Sequence, residues 1–368
     1  MYRCDALIVG GGPAGSTCAR MLRLAGWNVI VADRARFPRD KVCGGWVTPA
    51  VFGLLDLDPA EYRATHLTMQ EITGFRTSIL GGRAIETRYA DPVSYAIRRC
   101  ELDDFLLHRA RVRVLDGTPL VTLRRSGERW IANDLIEAPV VIGAGGHFCP
   151  VARHLQGDRD HAAPVIAKEA EFRLEGRHSP VVSDTPELFF CRDLEGYGWC
   201  VRKGDYLNVG IGRRAHDDFQ AHFGNFLSFL ASSGRAPEPS RLQWRGHAYH
   251  AEGAGVRPLA GAGVLIVGDA AGLAYPESGE GIRPAVESGR LAAQTLVAAN
   301  GRYDLEDLLP YEAAIRALHP PVSRTPAAMR PAVAQLGRAL MRSAAFTRHM
   351  VIDKWFLRAG EGAQPGRA

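Results

Sequence analysis

The sequence has no apolar run of the roughly 18 residues that a membrane-spanning helix requires, because Gly, Asp, Arg or Glu interrupts every candidate. No bilayer-spanning segment is expected. The start, Met1 to Asp5, lacks a positive region leading into an apolar core and a small-residue cleavage site, so no secretion signal is expected either. The seven cysteines, Cys4, Cys18, Cys43, Cys100, Cys149, Cys191 and Cys200, show no Cys-x-x-Cys spacing and no ligand-spaced histidines beside them, which argues against a metal centre. An odd number of thiols fits reduced cysteines, and the expected location is the cytoplasm. Internal repeats and long low-complexity segments are missing as well.

Excess charge is scarce outside one segment. The formal net charge is +5, yet Arg324 to Arg358 alone holds seven Arg or Lys against one acid, Asp353. The rest of the chain is therefore close to neutral, and without a recognition motif a nucleic-acid partner is not expected. What remains is an ordinary globular composition, 46% hydrophobic and 23% charged over 368 residues, enough for two domains.

The chain opens with an apolar run from Cys4 to Gly10, helical composition from Ala14 to Leu24 closed by Ala25-Gly26, and a second apolar run from Val29 to Ala32. This reads as strand, turn, helix, strand. Gly10-x-Gly12-x-x-Gly15, with Pro13 and Ala14 inside it, occupies the turn. The first glycine turns the chain, the second admits a pyrophosphate close to the backbone, and the third packs helix on strand. Asp33, followed by Arg34, stands about twenty residues on, where a carboxylate accepts hydrogen bonds from ribose hydroxyls. These residues imply a bound dinucleotide; the alternative is a tight turn with no ligand.

Val264 to Gly272, then Pro276 and Gly279-Glu280-Gly281-Ile282 opening a helix, resembles the second flavin motif of the para-hydroxybenzoate hydroxylase-like FAD superfamily. The resemblance implies FAD, with Asp269 on the ribityl chain or phosphates and the Gly281 and Ile282 amides facing the flavin ring. Arg99, with Leu102-Asp103 and Leu106, resembles the Arg-x-x-φ-Asp-x-x-Leu segment whose arginine reaches the cofactor; the alternative is a surface arginine capping a helix. Val121, in the short β runs that follow, is assigned to the cofactor set too. Gly143-Ala144-Gly145-Gly146 departs from the Gly-Ala-Asp-Gly of the hydroxylases, which weakens NAD(P)H docking of their kind.

Lys41-Val42-Cys43-Gly44-Gly45 is similar to the Lys-x-Cys-Gly loop of the geranylgeranyl reductase family, and Gly196-Tyr197-Gly198-Trp199 to its Tyr-x-Trp-x-Phe-Pro sheet. The resemblance implies reduction of a carbon-carbon double bond in a prenyl or lipid-like substrate, with Lys41, Cys43 and Gly44 near the flavin and Cys43, Tyr197 and Trp199 as catalytic candidates. Cys43 has two readings, a proton carrier and a small buried side chain. Val201-Arg202 replaces Phe-Pro and is expected to put a guanidinium at the cavity wall, suiting a substrate with a polar or anionic end. A flavin-dependent monooxygenase or halogenase on the same scaffold is the alternative, and a catalytically silent flavin-binding protein the third reading. Without a second complete glycine fingerprint, the electron donor is NAD(P)H bound transiently or a redox protein.

The expected fold class is α/β: a Rossmann-like FAD-binding domain (1-60, 93-163 and 253-300), an inserted mainly antiparallel-sheet substrate domain (61-92 and 164-252) and a helical C-terminus (301-368). His247-x-x-His250 lacks a third metal ligand and suggests a polar cavity role. In the C-terminal segment Val333, Leu336, Leu340, Ala344 and Val351 share a helical face, with Arg338, Arg342, Arg348 and Lys354 as the basic residues. Such a face rests on an anionic membrane surface or packs inward with the arginines in water.

Overall fold

The computed structural model describes residues 1–157, 164–176, 179–214, 218–236, 238–251, 257–320 and 326–360. Arg324 and the expected domain edges at 163 and 253 lie outside these residues. Two compact units result, one from residues 1–40, 100–162 and 249–322, the other from 41–99, 163–248 and 323–368. No helix among the described residues is long and apolar enough to cross a membrane.

The first unit is built on a six-stranded sheet in the order Ala260–Gly261, Val264–Ile266, Val140–Gly143, Ala6–Val9, Val29–Ala32, Arg113–Leu115. All neighbours are parallel except the first pair. The inner strands are buried along their whole length, which is why they read as continuous apolar runs rather than alternating ones. The helices Pro13–Leu24 and Ile282–Ala299 pack on one another. The helix Leu305–Leu318 holds the sheet's far edge: Tyr311 donates to Ile266 O at 2.6 Å, and Glu312 accepts the Leu259 and Ala260 N–H groups. Pro310 lies inside this helix.

The second unit carries a seven-stranded sheet in the order Arg245–Tyr249, Val165–Arg173, Tyr206–Arg214, Gly196–Lys203, Glu187–Phe190, Gly74–Ile79, Ile85–Arg88. The helix Phe219–Ser232 covers one face through Phe219, Phe226 and Leu230. Trp46–Val47, Ser94–Ile97 and Met69–Ile72 form a small antiparallel sheet. The run from Thr68 to Leu80 breaks at Thr73, and its halves serve different sheets. The C-terminal segment divides too. Val351, Ile352 and Phe356 of Thr347–Phe356 are fully buried, whereas Val333, Leu336 and Leu340 of Arg330–Leu340 are exposed.

Candidate active site

In the first unit the strand Ala6–Val9 delivers the chain to Gly10 at φ +115°, where a Cβ would lie 2.3 Å from Ala144 O. Only glycine completes that turn. A Cβ on Gly15 would sit 1.9 Å from Gly10 O, so the helix Pro13–Leu24 starts hard against the strand end. With Gly12 at its N-cap, Pro13 at its first position and no side-chain cap, the helix leaves its first N–H groups directed outward. Asp33 is buried beside them and accepts the Gly11 N–H at 2.7 Å through Oδ2 and the Ala35 N–H at 2.8 Å through Oδ1. Each oxygen keeps lone-pair capacity for a hydroxyl donor.

The second glycine motif meets the first in space. Gly268, at φ +64°, donates its N–H to Ser288 Oγ, and a Cβ there would lie 3.1 Å from Ala14 Cβ. A Cβ on Gly289 would fall 2.4 Å from Ala14 O, so the two helices touch at backbone distance. Gly281 caps the helix Ile282–Ala299, and a Cβ on it would be 3.0 Å from Asp269 Oδ1. Gly279, at φ +70°, faces the Tyr249 hydroxyl. A cradle that side chains would fill, lined by two helix N-termini and two carboxylates, fits a group carrying both phosphates and hydroxyls. Arg34 is exposed next to Asp33. Val121 is 79% exposed, and its N–H donates to Asn133 Oδ1 at 2.8 Å.

In the second unit the glycine-rich loop places Cys43 over the sheet. Glu169 Oε2 accepts the Cys43 N–H at 2.7 Å, and the Gly45 N–H donates to Cys43 Sγ at 3.3 Å. A Cβ on Gly44 would contact the Trp46 ring at 3.1 Å and Trp199 Nε1 at 3.7 Å. Trp199 lies over Gly210, where a Cβ would be 2.3 Å from Cζ2, and donates to Asn208 Oδ1 at 2.6 Å. Tyr197 packs against Phe190, Trp199 and Phe356, with ring centroids 5.3–6.0 Å apart, and Trp46 stands 5.9 Å from Phe356. Trp46, Tyr197 and Trp199 thus gather around Phe356 and Gly44, and Cys43 is the residue next to Gly44 in the loop. Lys41 donates to His247 Nε2, and Arg99 is buried at the start of the helix Arg99–Ala110.

Residues 3–77 match the FAD binding domain family. Menaquinone reductase of Mycobacterium tuberculosis is 32% identical over 322 residues, 79% of this chain and 76% of that protein. The chain belongs to the geranylgeranyl reductase-like family of FAD-dependent oxidoreductases. Chloroplastic geranylgeranyl diphosphate reductase of Arabidopsis thaliana is 29% identical over 350 residues, 82% of this chain and 67% of that one. A geranylgeranyl bacteriochlorophyll reductase-like protein from Thermoplasma acidophilum has the same fold, with a TM-score of 0.71 at 22% identity over 87% of this chain and 84% of that one. FAD is its cofactor, and its substrate is a small molecule.

Against the family pattern, Arg202 does not reach the Trp199 face. Strand period two puts Tyr197, Trp199, Val201 and Lys203 on one side and Gly198, Cys200 and Arg202 on the other. Gly198 accordingly meets Phe226, and Arg202 donates to Gly204 O at 3.3 Å. The cation on the Trp199 side is Lys203, buried and paired with Glu171 at 2.8 Å, which Arg98 also binds at 2.8 Å. Burial opposes ionisation of Glu171, but Lys203 and Arg98 outweigh it and hold the carboxyl below the usual range. The altered Phe-Pro therefore gives no reason to expect an anionic substrate.

Sequence reasoning also missed Arg39. Its Nη2 lies 3.3 Å from where a Gly12 Cβ would be, and its Nη1 pairs with the fully buried Asp103 at 3.2 Å. A pinned guanidinium thus stands at the glycine turn. The Arg-x-x-φ-Asp segment carries the signal, since a buried aspartate at its fifth position calls for a cation. Gly145 has a packing reason to lack the hydroxylase carboxylate, since a Cβ there would meet Cys149 at 3.2–3.4 Å. The two histidines of His247-x-x-His250 have separate partners, His250 lying against His147 with tilted rings whose centroids are 4.6 Å apart. Asp193, Asp218 and His222 have ligand-like spacing, but Arg213 already pairs with both acids there.

On the helix that Gly281 caps, buried Arg283 pairs with Glu287 at 2.8 Å, and His319 lies 3.4 Å from the same carboxylate. Burial works against the charge on Glu287, but His319 and Arg283 prevail and keep its carboxyl low. A depressed carboxyl stabilises above its unfolded pKa and loses that contribution as pH falls through the folded value. Glu287→Gln should therefore cost about 3 kcal/mol at neutral pH by leaving Arg283 buried without its anion. The deficit should shrink on acidification; urea unfolding at several pH values reads both effects.

Proposed function

We propose that this oxidoreductase reduces a carbon-carbon double bond of a prenyl or lipid-like molecule. The observation that carries the reading is the Cys43 loop set directly against the aromatic face of Trp46, Tyr197 and Trp199. Relatives named for menaquinone and for geranylgeranyl diphosphate, both with isoprenoid chains, support it. So does the neutralisation of Lys203, which leaves that face compatible with hydrocarbon.

Bound FAD, once reduced, supplies the hydride. The first unit holds it: the glycine turn and Arg39 take the phosphates, Asp33 the ribose, Asp269 the ribityl chain, and the Gly281 and Ile282 N–H groups the ring. Pro13, Ala14, Arg34, Val121 and Gly279 complete the proposed contacts in that unit. In the second unit Tyr197 and Trp199 align the chain and exclude water, while the Cys43 thiol delivers a proton to the alkene carbon that the hydride does not attack. The thiol then regains its proton from solvent, so the net change is two hydrogens added across the bond. NAD(P)H or a redox protein reduces the flavin. Photoreduced holoprotein mixed anaerobically with a polyprenyl alkene should recover oxidised-flavin absorbance, with one bond saturated per flavin. Failure with every prenyl alkene, combined with oxygen-dependent hydroxylation or halogenation of another substrate, would overturn the reading.

The substrate class also suits the exposed stripe at 329–340. Met329, Val333, Leu336 and Leu340 are 39–62% exposed and fall on one side of the helical screw, while Ala334 on the other side is buried. Arg330 and Arg342 lie alongside with no acid among them, matching an anionic lipid surface. Leu336→Asp should lower binding to phosphatidylglycerol-containing vesicles about tenfold in flotation assays. Equal binding by the variant, or none by the wild type, would count against membrane contact.

A further inference from the structure

Glu169 lies in the middle of the strand Val165–Arg173 and is 4% exposed, yet it contributes to none of the motifs. Its Oε2 accepts two hydrogen bonds. One comes from the Cys43 N–H at 2.7 Å, and the other from Asn208 Nδ2 at 3.2 Å. Asn208 in turn accepts the Trp199 indole N–H at 2.6 Å through Oδ1. A single carboxylate oxygen thereby joins the cysteine loop to the aromatic face through one intervening amide.

We propose that Glu169 is a positioning residue: by holding the Cys43 main chain and, through Asn208, the Trp199 ring, it fixes the thiol against the face that lines the substrate. The proposal rests on the reading of Cys43 and Trp199 as substrate-side groups.

The surroundings favour this role over that of a simple ion pair. Lys203 donates to Glu171 rather than to Glu169, and Arg98 binds the same Glu171. Among the described residues the groups that donate to Glu169 are neutral, the Cys43 N–H and the Asn208 amide. Burial accordingly pushes its carboxyl up, and Glu171 adds to the rise, against the lowering pull of Lys203, the Cys43 N–H and Asn208. A carboxyl that tends towards the neutral form still accepts through a carbonyl-type oxygen, and so does the amide of glutamine. Positioning therefore does not require the charge. The loop itself has little freedom to compensate. Gly45 sits at φ +70°, where a Cβ would be 2.3 Å from Lys203 Nζ and 2.6 Å from Ile97 O, and its N–H is directed to Cys43 Sγ.

The decisive measurement is the alkylation rate of Cys43 by iodoacetamide in the holoprotein, in a Cys100→Ser background, because the other five cysteines are buried. Glu169→Ala should raise that rate about tenfold and lower kcat for alkene reduction by a similar factor, with KM and FAD content little changed. Glu169→Gln should restore both towards wild type. Asn208→Ala, which leaves the Cys43 N–H bond to Glu169 but removes the Trp199 link together with a 3.3 Å bond to Glu171, should raise KM more than it changes alkylation. Circular dichroism and flavin stoichiometry verify that each variant is folded.

Alkylation within about twofold of wild type in folded Glu169→Ala would overturn the proposal. A Glu169→Gln variant as impaired as Glu169→Ala, with the high-pH limb of the rate profile abolished, would overturn it in favour of titration at Glu169. Alkylation reports on the loop whatever the reaction is. A changed alkylation rate without any alkene reduction by the wild type would therefore indict the proposed reaction and leave the loop coupling standing.

Discussion

Gly15→Ala should purify as a colourless protein. The new Cβ would start 1.9 Å from Gly10 O, and both partners are backbone, so no side chain can swing away to relieve the contact. The helix Pro13–Leu24 must retreat from the strand end by more than an ångström to restore van der Waals distance. That movement separates the outward N–H groups of the helix from the turn that Gly10 shapes. It also strains the Gly11 N–H to Asp33 hydrogen bond that positions the carboxylate. FAD affinity should fall at least about 100-fold, equivalent to about 2.7 kcal/mol. Gly224→Ala is the matched control: Gly224 lies in the helix Phe219–Ser232 with nothing within 4 Å of where its Cβ would be, so flavin content should not change. FAD titration of both apoproteins reads the difference, and retention of affinity within about threefold in Gly15→Ala would show that the turn is not where the phosphates sit.

The dinucleotide end of the molecule is legible in the sequence because its signals are local. Gly10, Gly12 and Gly15 lie within one turn, Asp33 follows one helix and one strand later, and the buried strands of a parallel sheet announce themselves as apolar runs. The second motif, Asp269 to Ile282, is equally readable because a strand end and a helix start again bracket it. Pairing between distant segments is not readable in this way. Arg39 and Asp103 are separated by a long stretch of chain that belongs to the other unit. Glu169 and Glu171 alternate with Ala170 and Phe172, a pattern that an ordinary half-exposed strand would also show. Only the arrival of Lys203, Asn208 and the Cys43 loop makes that polar side an interior. Arg202 departs from expectation for a simpler reason: proximity to Trp199 in sequence is not proximity in space, because an offset of three residues along a strand reverses the face. The C-terminal helix shows the same limit. Its amphipathic period is visible, but the side that faces outward depends on small residues, Ala334 and Gly337, fitting against the body, and Gly337 does so next to Leu194.

Cys43→Ala should bind FAD and allow its reduction at wild-type levels, yet slow alkene reduction about 100-fold or more. An isolated double bond has no carbonyl to accept the charge that hydride brings, so the proton must arrive with the hydride, and a missing donor falls directly on the chemical step. A thiol is a far stronger acid than the alcohol that replaces it in serine. Cys43→Ser therefore tests the assignment from the other side. If Cys43 delivers the proton, serine should be almost as slow as alanine despite matching the thiol in shape. If Cys43 only fills space in its loop, alanine should be nearly harmless. Single-turnover reoxidation of the reduced enzyme by substrate, run in H2O and D2O, separates the two cases. A solvent isotope effect present in the wild type should grow or persist in the slowed variants, since water then competes as the donor. Wild-type rates in Cys43→Ala would remove the thiol from the reaction and return the proton to a group outside the cysteine loop.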